Sequence, residues 1–258
     1  MMKTVSAIIE YREMLFTLVR KDLRTRYKAS FLGFFWTFLN PLLMLAVYSI
    51  IFPYVMRVQE KNYAMFLFVA LIPWMYFSMT LQSSTTCVLS NASLVKKIYF
   101  PRQIIPVAIS ISGLVNMFFG YLVVVVALLI EGIIPSLFVL YSPLLLLIVF
   151  LEVTGFTLFL SCLTVYFRDL EHITGIVLMA VFYATPTLYS VDMLPQRYRL
   201  LILLNPISPI IVAFRDVFYY GRPPDLVYLS YALLFSTALI FAGLATFDRL
   251  QRRFAEEI

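Results

Sequence analysis

Residues 104–130 read IIPVAISISGLVNMFFGYLVVVVALLI, a run without a charged side chain. As an α-helix this run would be about 40 Å long, which exceeds the roughly 30 Å of hydrocarbon in a bilayer. It therefore predicts a membrane-spanning helix. Five further runs of this kind lie at about 33–56, 63–86, 139–165, 173–190 and 227–247. The sequence thus predicts an all-α integral membrane protein with six spans, forming one membrane domain over residues 1–258.

The composition supports this class and excludes soluble enzymes. Of the 258 residues, 62% are apolar and 13% are charged, whereas soluble domains are about 45–50% apolar and about 25% charged. A soluble fold of this length has too little interior for 24 Phe and 17 Tyr side chains. The single histidine, His172, and the two distant cysteines, Cys87 and Cys162, predict neither a metal site nor a disulfide.

The distribution of cations predicts the orientation of the chain. Residues 1–32, the connection 91–103, Arg168 and the tail 248–258 together carry 14 of the 20 Lys and Arg residues. Because cytoplasmic flanks of spans are enriched in Lys and Arg, both termini are predicted to be cytoplasmic. The cations lie beside apolar runs, so they do not indicate a nucleic-acid partner. No cleavable signal peptide is expected, because the first span is itself long enough to cross the membrane.

Residues 1–32 predict a helix that lies in the cytoplasmic interface. Apolar side chains recur at helical spacing on one face of this segment, and Arg20, Lys21 and Arg24 lie mostly off that face. The apolar face consists of Ile8, Tyr11, Leu15, Leu18, Val19 and Leu23. Asp22 interrupts the pattern. A helix that only anchors the chain is the alternative to a role in transport.

The connection 190–226 predicts re-entrant half-helices before the last span. It holds two apolar pieces, at 198–204 and 207–214, and each is too short to span a bilayer. Pro206 and Pro209 separate them and would break a continuous helix. An ordinary outer loop resting on the lipid headgroups is the alternative.

The chain has no phosphate-binding loop of its own, because no Gly-Lys dipeptide occurs in it. Glu152 is the one ionisable residue near the middle of a predicted span, and it is open to a structural, ion-coupling or pore-lining interpretation. The basic and aromatic connection NASLVKKIYFPRQIIP, residues 91–106, predicts either a helix turned toward lipid headgroups or one that docks into a partner.

Six motifs together form a recognisable pattern. They are LVRKDLRTRYKASFLGFFWTFLNPL (18–42), LVKKIYFPRQIIP (94–106), YFRDLEHI (166–173), TPTLYS (185–190), LNPISPI (204–210) and RDVFYYG (215–221). With these motifs in this order and at this spacing, the chain resembles the permease subunits of ABC-2 type polysaccharide exporters, which export O-antigen, capsule and teichoic acid. The resemblance covers nearly the whole chain.

The resemblance implies a half-transporter in the inner membrane that is not itself an enzyme. Two copies would form a pathway for a lipid-linked polysaccharide. Two copies of a separate ATPase subunit would bind ATP and Mg²⁺, so no cofactor is expected on this chain. The alternatives are a drug or lipid exporter permease, a proton-coupled secondary transporter and a membrane glycosyltransferase.

The resemblance also implies roles for two groups of residues. It places the ATPase-coupling contact at Lys96, Lys97, Tyr99, Phe100, Pro101 and Arg102. It places the outer gate at the half-helices around Pro206 and Pro209.

Two further groups are interpreted from their chemistry. The cations of the interface helix either hold it at the headgroups or meet the diphosphate of a lipid-linked substrate at its entry. They are Arg20, Lys21, Arg24 and Lys28. Aromatic side chains of the first and fifth spans would stack on sugar rings along the pathway, or else face lipid. The candidates are Phe35, Trp36, Tyr48, Phe52, Tyr183 and Tyr189.

Overall fold

The computed structural model describes residues 10–26, 35–56, 62–134 and 136–257, apart from a few side chains within these ranges. The described part of the chain is helical and contains no β-strand. Its α-helices are α1 (Arg12–Arg26), α2 (Trp36–Met56), α3 (Tyr63–Cys87), α4 (Ala92–Lys97), α5 (Ile104–Ile130), α6 (Ser142–Tyr166), α7 (Leu170–Ala184), α8 (Gln196–Leu204), α9 (Ile207–Phe218), α10 (Leu226–Leu250) and α11 (Phe254–Glu257). The predicted all-α class is confirmed.

Among the described residues, four helical stretches are long and apolar enough to cross a membrane. They are Tyr63–Cys87, Ile104–Ile130, Leu137–Tyr166 and Leu226–Arg253. They agree within a few residues with four of the predicted spans. The predicted first span corresponds to α2, which begins at Trp36 and whose side chains are described only in part.

The sequence predicts that the outer end of the fifth span, which carries Pro186, is bent or broken, and the structure confirms this. Instead of one helix over 173–190, α7 ends at Ala184 after 15 residues, which is about 22 Å and shorter than the hydrocarbon core. Pro186 explains the end of this helix, because the residue before a proline disfavours the helical conformation. Thr185 is accordingly extended, with φ −104° and ψ 137°. The count of six spans stays a prediction.

The predicted half-helices are present as α8 and α9, with a bend of 106° between them. Pro206 lies at the break, and Pro209 lies in the first turn of α9, where a missing N–H is tolerated. α9 is buried along almost its whole length. Asn205 and Pro206 at the break are themselves partly buried, which agrees with the need for protein around irregular backbone at membrane depth. A loop resting on headgroups would not bury α9 in this way.

The central helix of the bundle is α3, which contacts α2, α5, α6, α7 and α9. Two tyrosine hydroxyls fix its position relative to α5. Tyr121 donates a hydrogen bond to the Val69 carbonyl at 2.9 Å, and Tyr76 donates to the Ser110 carbonyl at 3.1 Å. Because α3 runs the length of the bundle, it connects the loops at one end with those at the other.

Two glycines let α6 and α10 approach each other closely. A Cβ atom at Gly155 would lie 2.8 Å from Leu239 Cγ, and one at Gly243 would lie 2.8 Å from the Gly155 carbonyl oxygen. In a membrane the hydrophobic effect does not drive helices together, because lipid tails are as apolar as the side chains. Small residues instead let two helix backbones approach closely and gain van der Waals contacts. This pair therefore holds the last span against α6.

The connections gather at two ends of the bundle. The basic end contains α1, the segment 88–103, Arg168 and the tail after α10. The opposite end contains the turn 185–190, α8 and the segment 219–225. Contacts such as those of Lys21 with Asn91 and of Arg102 with Gln251 join the parts of the basic end. The described cations thus fall into the two groups that the sequence predicted.

Candidate functional site

Three of the sequence motifs meet at the opposite end. TPTLYS is the turn after α7, LNPISPI is the break between α8 and α9, and RDVFYYG ends α9. Asn205 Nδ2 donates to Thr185 Oγ1 at 2.9 Å, which joins the first two motifs. Arg215 joins the third motif to the first by donating to backbone carbonyls of the turn. Motifs that are separate in the chain therefore form one site.

Arg215 is the centre of this site, and its side chain is only 3% exposed. Its Nη1 donates to the carbonyls of Pro186 at 2.5 Å and Tyr189 at 2.9 Å, while Nη2 donates to that of Thr187. Its Nε donates to the Phe66 carbonyl at 3.1 Å, and the guanidinium carbon lies 3.6 Å from the centre of the Phe66 ring. Carbonyl dipoles and the ring face compensate the loss of water around this cation.

The turn 185–190 has further attachments. Tyr63, at the start of α3, donates its hydroxyl to the Leu188 carbonyl at 2.6 Å. Tyr189 donates to the Tyr183 carbonyl at 3.2 Å. Burial raises the pKa of the Tyr189 hydroxyl, although the nearby Arg215 acts in the opposite direction. The turn is therefore fastened to α3, α7 and α9 together.

At the basic end, the predicted coupling residues differ in exposure. Lys96 and Lys97 end α4 and are exposed, and Tyr99 is 97% exposed. Phe100, the next residue, is 6% exposed and lies in a buried apolar cluster. The segment thus presents two cations and Tyr99 at its surface and is held on the bundle by Phe100. Pro101, which follows Phe100 in the sequence, is half-buried.

Arg102 contacts the C-terminal turn of the same chain. Its Nη1 donates to the Gln251 carbonyl, and its guanidinium lies 5.9 Å from the centre of the Phe254 ring. The neighbouring Gln103 donates from Nε2 to Asp248 Oδ1. The tail carries no motif in the sequence analysis, yet it packs directly against the predicted coupling segment.

The N-terminal helix covers protein with its apolar face. Leu15 and Leu18 pack against a buried cluster at the basic end, and Val19 is buried. This packing adds a contact with α5 to the predicted interface helix, whose position relative to the membrane stays a prediction. Arg20 and Arg24 are exposed, as predicted for the polar face. Lys28 lies outside the described residues.

Asp22, which interrupts the predicted apolar face, has a partner in α5. Its Oδ2 accepts a hydrogen bond from Ser112 Oγ at 2.6 Å. Beside it, Lys21 Nζ donates to Asn91 Oδ1 at 2.8 Å, next to the coupling segment. Sequence analysis missed this attachment, although an acidic residue on an otherwise apolar face was a signal for a polar partner.

The described members of the predicted pathway-lining set lie at two separate places in the chain fold. Phe35 precedes α2 and Trp36 begins it, and Trp36 borders a small cavity of about 80 Å³ near the middle of the bundle. Tyr183 and Tyr189 lie at the opposite end, and Tyr183 is 64% exposed. The side chains of Tyr48 and Phe52 lie outside the described residues.

Glu152 is fully buried in α6, and neither carboxyl oxygen has a hydrogen-bond partner among the described residues. Ser236 on α10 lies close to it but donates its hydroxyl to the Ala232 carbonyl at 2.7 Å. Asn116 on α5, another polar residue within a span, borders the Trp36 cavity. Because an unpaired charge is costly in such surroundings, this geometry favours a neutral, structural carboxyl group.

No grouping of His, Cys, Asp and Glu that could hold a metal ion occurs in the part of the chain that the structure describes. Cys87 and Cys162 are buried free thiols. The described contacts at the two ends are hydrogen bonds, cation–π contacts, packing and, at the opposite end, the ion pairs Arg199–Asp192 and Arg222–Asp216.

Residues 13–219 match the family described as ABC-2 type transporter. The O-antigen export system permease protein RfbA of Klebsiella pneumoniae is 37% identical over 248 residues, which cover 95% of this chain and 94% of that protein. The protein of the same name from Myxococcus xanthus is 33% identical over 260 residues and 100% of both chains. The polysialic acid transport protein KpsM of Escherichia coli is 24% identical over 89% of this chain and 90% of its own. The chain belongs to the ABC-2 type transporter family.

Proposed function

We propose that this chain is the membrane subunit of an ATP-driven exporter that moves a lipid-linked, O-antigen-like polysaccharide across the inner membrane. The similarity to permeases of O-antigen export, at 33–37% identity over nearly the whole chain, carries this proposal. A drug or lipid exporter permease of the same architecture is the alternative, whereas the relatives named above are described as O-antigen or polysialic acid transport proteins. The basic end then faces the cytoplasm, with both chain termini on that side.

In this proposal, ATP hydrolysis takes place on a separate subunit that binds ATP and Mg²⁺. The almost fully exposed Tyr99 beside Lys96 and Lys97 supports such a partner, since aromatic side chains are enriched in protein interfaces. Two copies of the ATPase would engage two copies of this chain. The ATPase stroke would reach the bundle through the segment 92–103.

The pathway would lie between two copies of the chain and would be closed at its outer end by the turn 185–190 with α8 and α9. α7 supports this arrangement, because one of its faces is not covered within the chain. Ile176 and Met179 on that face are 71% and 67% exposed. Pro206 and Pro209 shape the outer gate by setting the bend between α8 and α9. Arg215 holds the gate together from inside.

The entry for the substrate would lie beside α1. The exposed cations Arg20, Lys21 and Arg24 stand where a lipid-linked diphosphate would approach from the cytoplasmic leaflet. Lipid headgroups offer the same chemistry, so these cations would serve as anchors when no substrate is bound.

Reconstitution tests the proposal. The chain is purified together with a candidate ATPase subunit, and nucleotide turnover and export of a diphosphate-linked glycan are measured in proteoliposomes. We expect stable co-purification and export that requires hydrolysable nucleotide. Export of drugs or lipids without the glycan would favour the alternative permease, and glycan flux driven by a pH gradient without nucleotide would contradict ATP coupling.

A further inference from the structure

The C-terminal turn forms a second wall beside the coupling segment. A cleft of about 840 Å³ at the basic end lies between them, bordered also by Tyr11. The coupling side of this cleft is formed by residues 98–103. The tail side is formed by Asp248, Gln251 and Arg252. The cleft is therefore built from three parts of the chain that are far apart in sequence.

The two walls are fastened to each other by a polar network. Asp248 Oδ1 accepts hydrogen bonds from Gln103 Nε2 and from Gln251 Nε2, the latter at 2.9 Å. Arg102 adds its hydrogen bond to the Gln251 carbonyl. Gln103 is only 3% exposed, whereas Asp248, Gln251 and Arg102 are partly exposed at the cleft. The network therefore fastens the tail to the wall of the cleft.

An apolar anchor completes the attachment of the tail. Phe254 is fully buried, with its ring centre 5.4 Å from that of Phe247 and 6.3 Å from that of Tyr166. Tyr166 also donates its hydroxyl to the Leu250 carbonyl at 2.8 Å. The tail is thus an ordered part of the bundle.

The rim of the cleft is cationic and has unused donors. Arg252 is exposed at the rim. Arg102 uses one N–H group on Gln251, and its other N–H groups have no acceptor among the described residues. Asp248 Oδ1 accepts two amide hydrogen bonds, and its partly exposed carboxylate is the one acid that borders the cleft, against two arginines. An anion entering the cleft would therefore find free guanidinium donors.

We propose that this cleft is the docking site for an acidic segment of the ATPase subunit, and that Arg252 and Arg102 bind its carboxylates. The proposal rests on the proposed function and adds the C-terminal tail to the coupling site. A protein segment suits the cleft better than a lipid phosphate, because Ile98 and Tyr99 give its rim an apolar part next to the cations. Arginine also binds carboxylates through two parallel hydrogen bonds.

Charge reversal at two adjacent arginines tests the proposal. Arg252 borders the cleft, whereas Arg253 is also exposed but does not border it. Binding of the purified ATPase subunit to the chain in neutral-lipid nanodiscs is measured at fixed ionic strength. We expect Arg252→Glu to weaken binding on the order of tenfold and Arg253→Glu to change it by less than about twofold. Tyr99→Ala serves as the reference variant for ATPase coupling.

The outcomes separate the two proposals. Equal weakening by both reversals, or none by Arg252→Glu while Tyr99→Ala weakens binding, would overturn the docking cleft and leave the proposed function standing. Absence of any ATPase binding by the wild-type chain would overturn the proposed function itself. If Arg252→Glu alters binding to vesicles with anionic lipid but not to the ATPase, the cleft is a membrane contact and the proposal is wrong. Matching thermal midpoints of the two variants exclude misfolding as the cause.

Discussion

The two ends of the bundle use arginine in opposite ways. Arg215 is buried at the opposite end and donates to four backbone carbonyls. Arg102 and Arg252 lie at the surface of the basic end, where Arg102 makes a single hydrogen bond among the described residues. An arginine whose donors are engaged inside the protein fixes backbone geometry. One whose donors face a cleft can bind another molecule.

The same contrast extends to the segments around these arginines. The turn 185–190 is fastened by Arg215, Tyr63 and Asn205 within the chain. The segment 92–103 is fastened only along one side and leaves Tyr99 almost fully exposed. The opposite end is therefore held together by contacts within the chain, while the basic end leaves side chains available for a partner.

The largest expected effect follows from removing the guanidinium at the opposite end. Arg215→Ala would leave several buried carbonyls without donors, and each such loss costs about 1–3 kcal/mol, so we expect a destabilisation on the order of 4 kcal/mol. Thermal unfolding in detergent measures it. Arg199→Ala is the control, because Arg199 pairs with Asp192 in a more exposed position and should matter little. Similar midpoints for the two variants would contradict the central role of Arg215.

The second prediction separates two adjacent aromatic residues at the basic end. Phe100→Ala should destabilise the protein by about 3 kcal/mol, because it leaves a cavity in a buried cluster. Tyr99→Ala should leave the thermal midpoint unchanged and reduce ATP-dependent export. Unfolding and transport assays are run on both variants. Equal loss of stability, or normal export by Tyr99→Ala, would remove the distinction between a packing residue and a contact residue.

The third prediction concerns which aromatic residues meet water during transport. In a background lacking Cys87 and Cys162, cysteine at Tyr183 should react with a water-soluble thiol reagent severalfold faster during ATP turnover than at rest. Cysteine at Leu178, which is 8% exposed on the same helix, should stay slow under both conditions. Cysteine at Trp36 should also react slowly, because the cavity there is small. An unchanged rate at Tyr183 would place this residue against lipid.

The smallest effect is expected inside the bundle, between the two ends. Glu152→Gln should retain ATP-dependent transport, since neither carboxyl oxygen of Glu152 has a hydrogen-bond partner among the described residues. A change in stability within about 1 kcal/mol is expected for this near-isosteric change. Transport is assayed with ATP alone and with a pH gradient alone. A flux driven by the pH gradient in the wild-type protein that disappears in the variant would make Glu152 an ion-coupling site.

Hydrophobic length determines much of the fold directly from the sequence. The predicted span 104–130 coincides with α5, and the break between the half-helices lies at Pro206 as predicted. Such features are local, because a helix long enough to cross hydrocarbon must satisfy its own backbone. The apolar face of α1 was likewise predictable from its spacing. What covers that face was not, since the spacing is the same against lipid and against α5.

The candidate sites depend on contacts that span the chain. Arg215 and Phe66 are 149 residues apart, as are Arg102 and Gln251. No local pattern reports such pairs, because each partner contributes a backbone carbonyl that every residue type possesses. The sequence by itself therefore determined the membrane class, most of the spans and the basic, aromatic character of the coupling segment. Only the tertiary structure decided that Phe100 turns inward while Tyr99 turns outward, and that the C-terminal tail joins the coupling site, because helix packing sets which groups lose water.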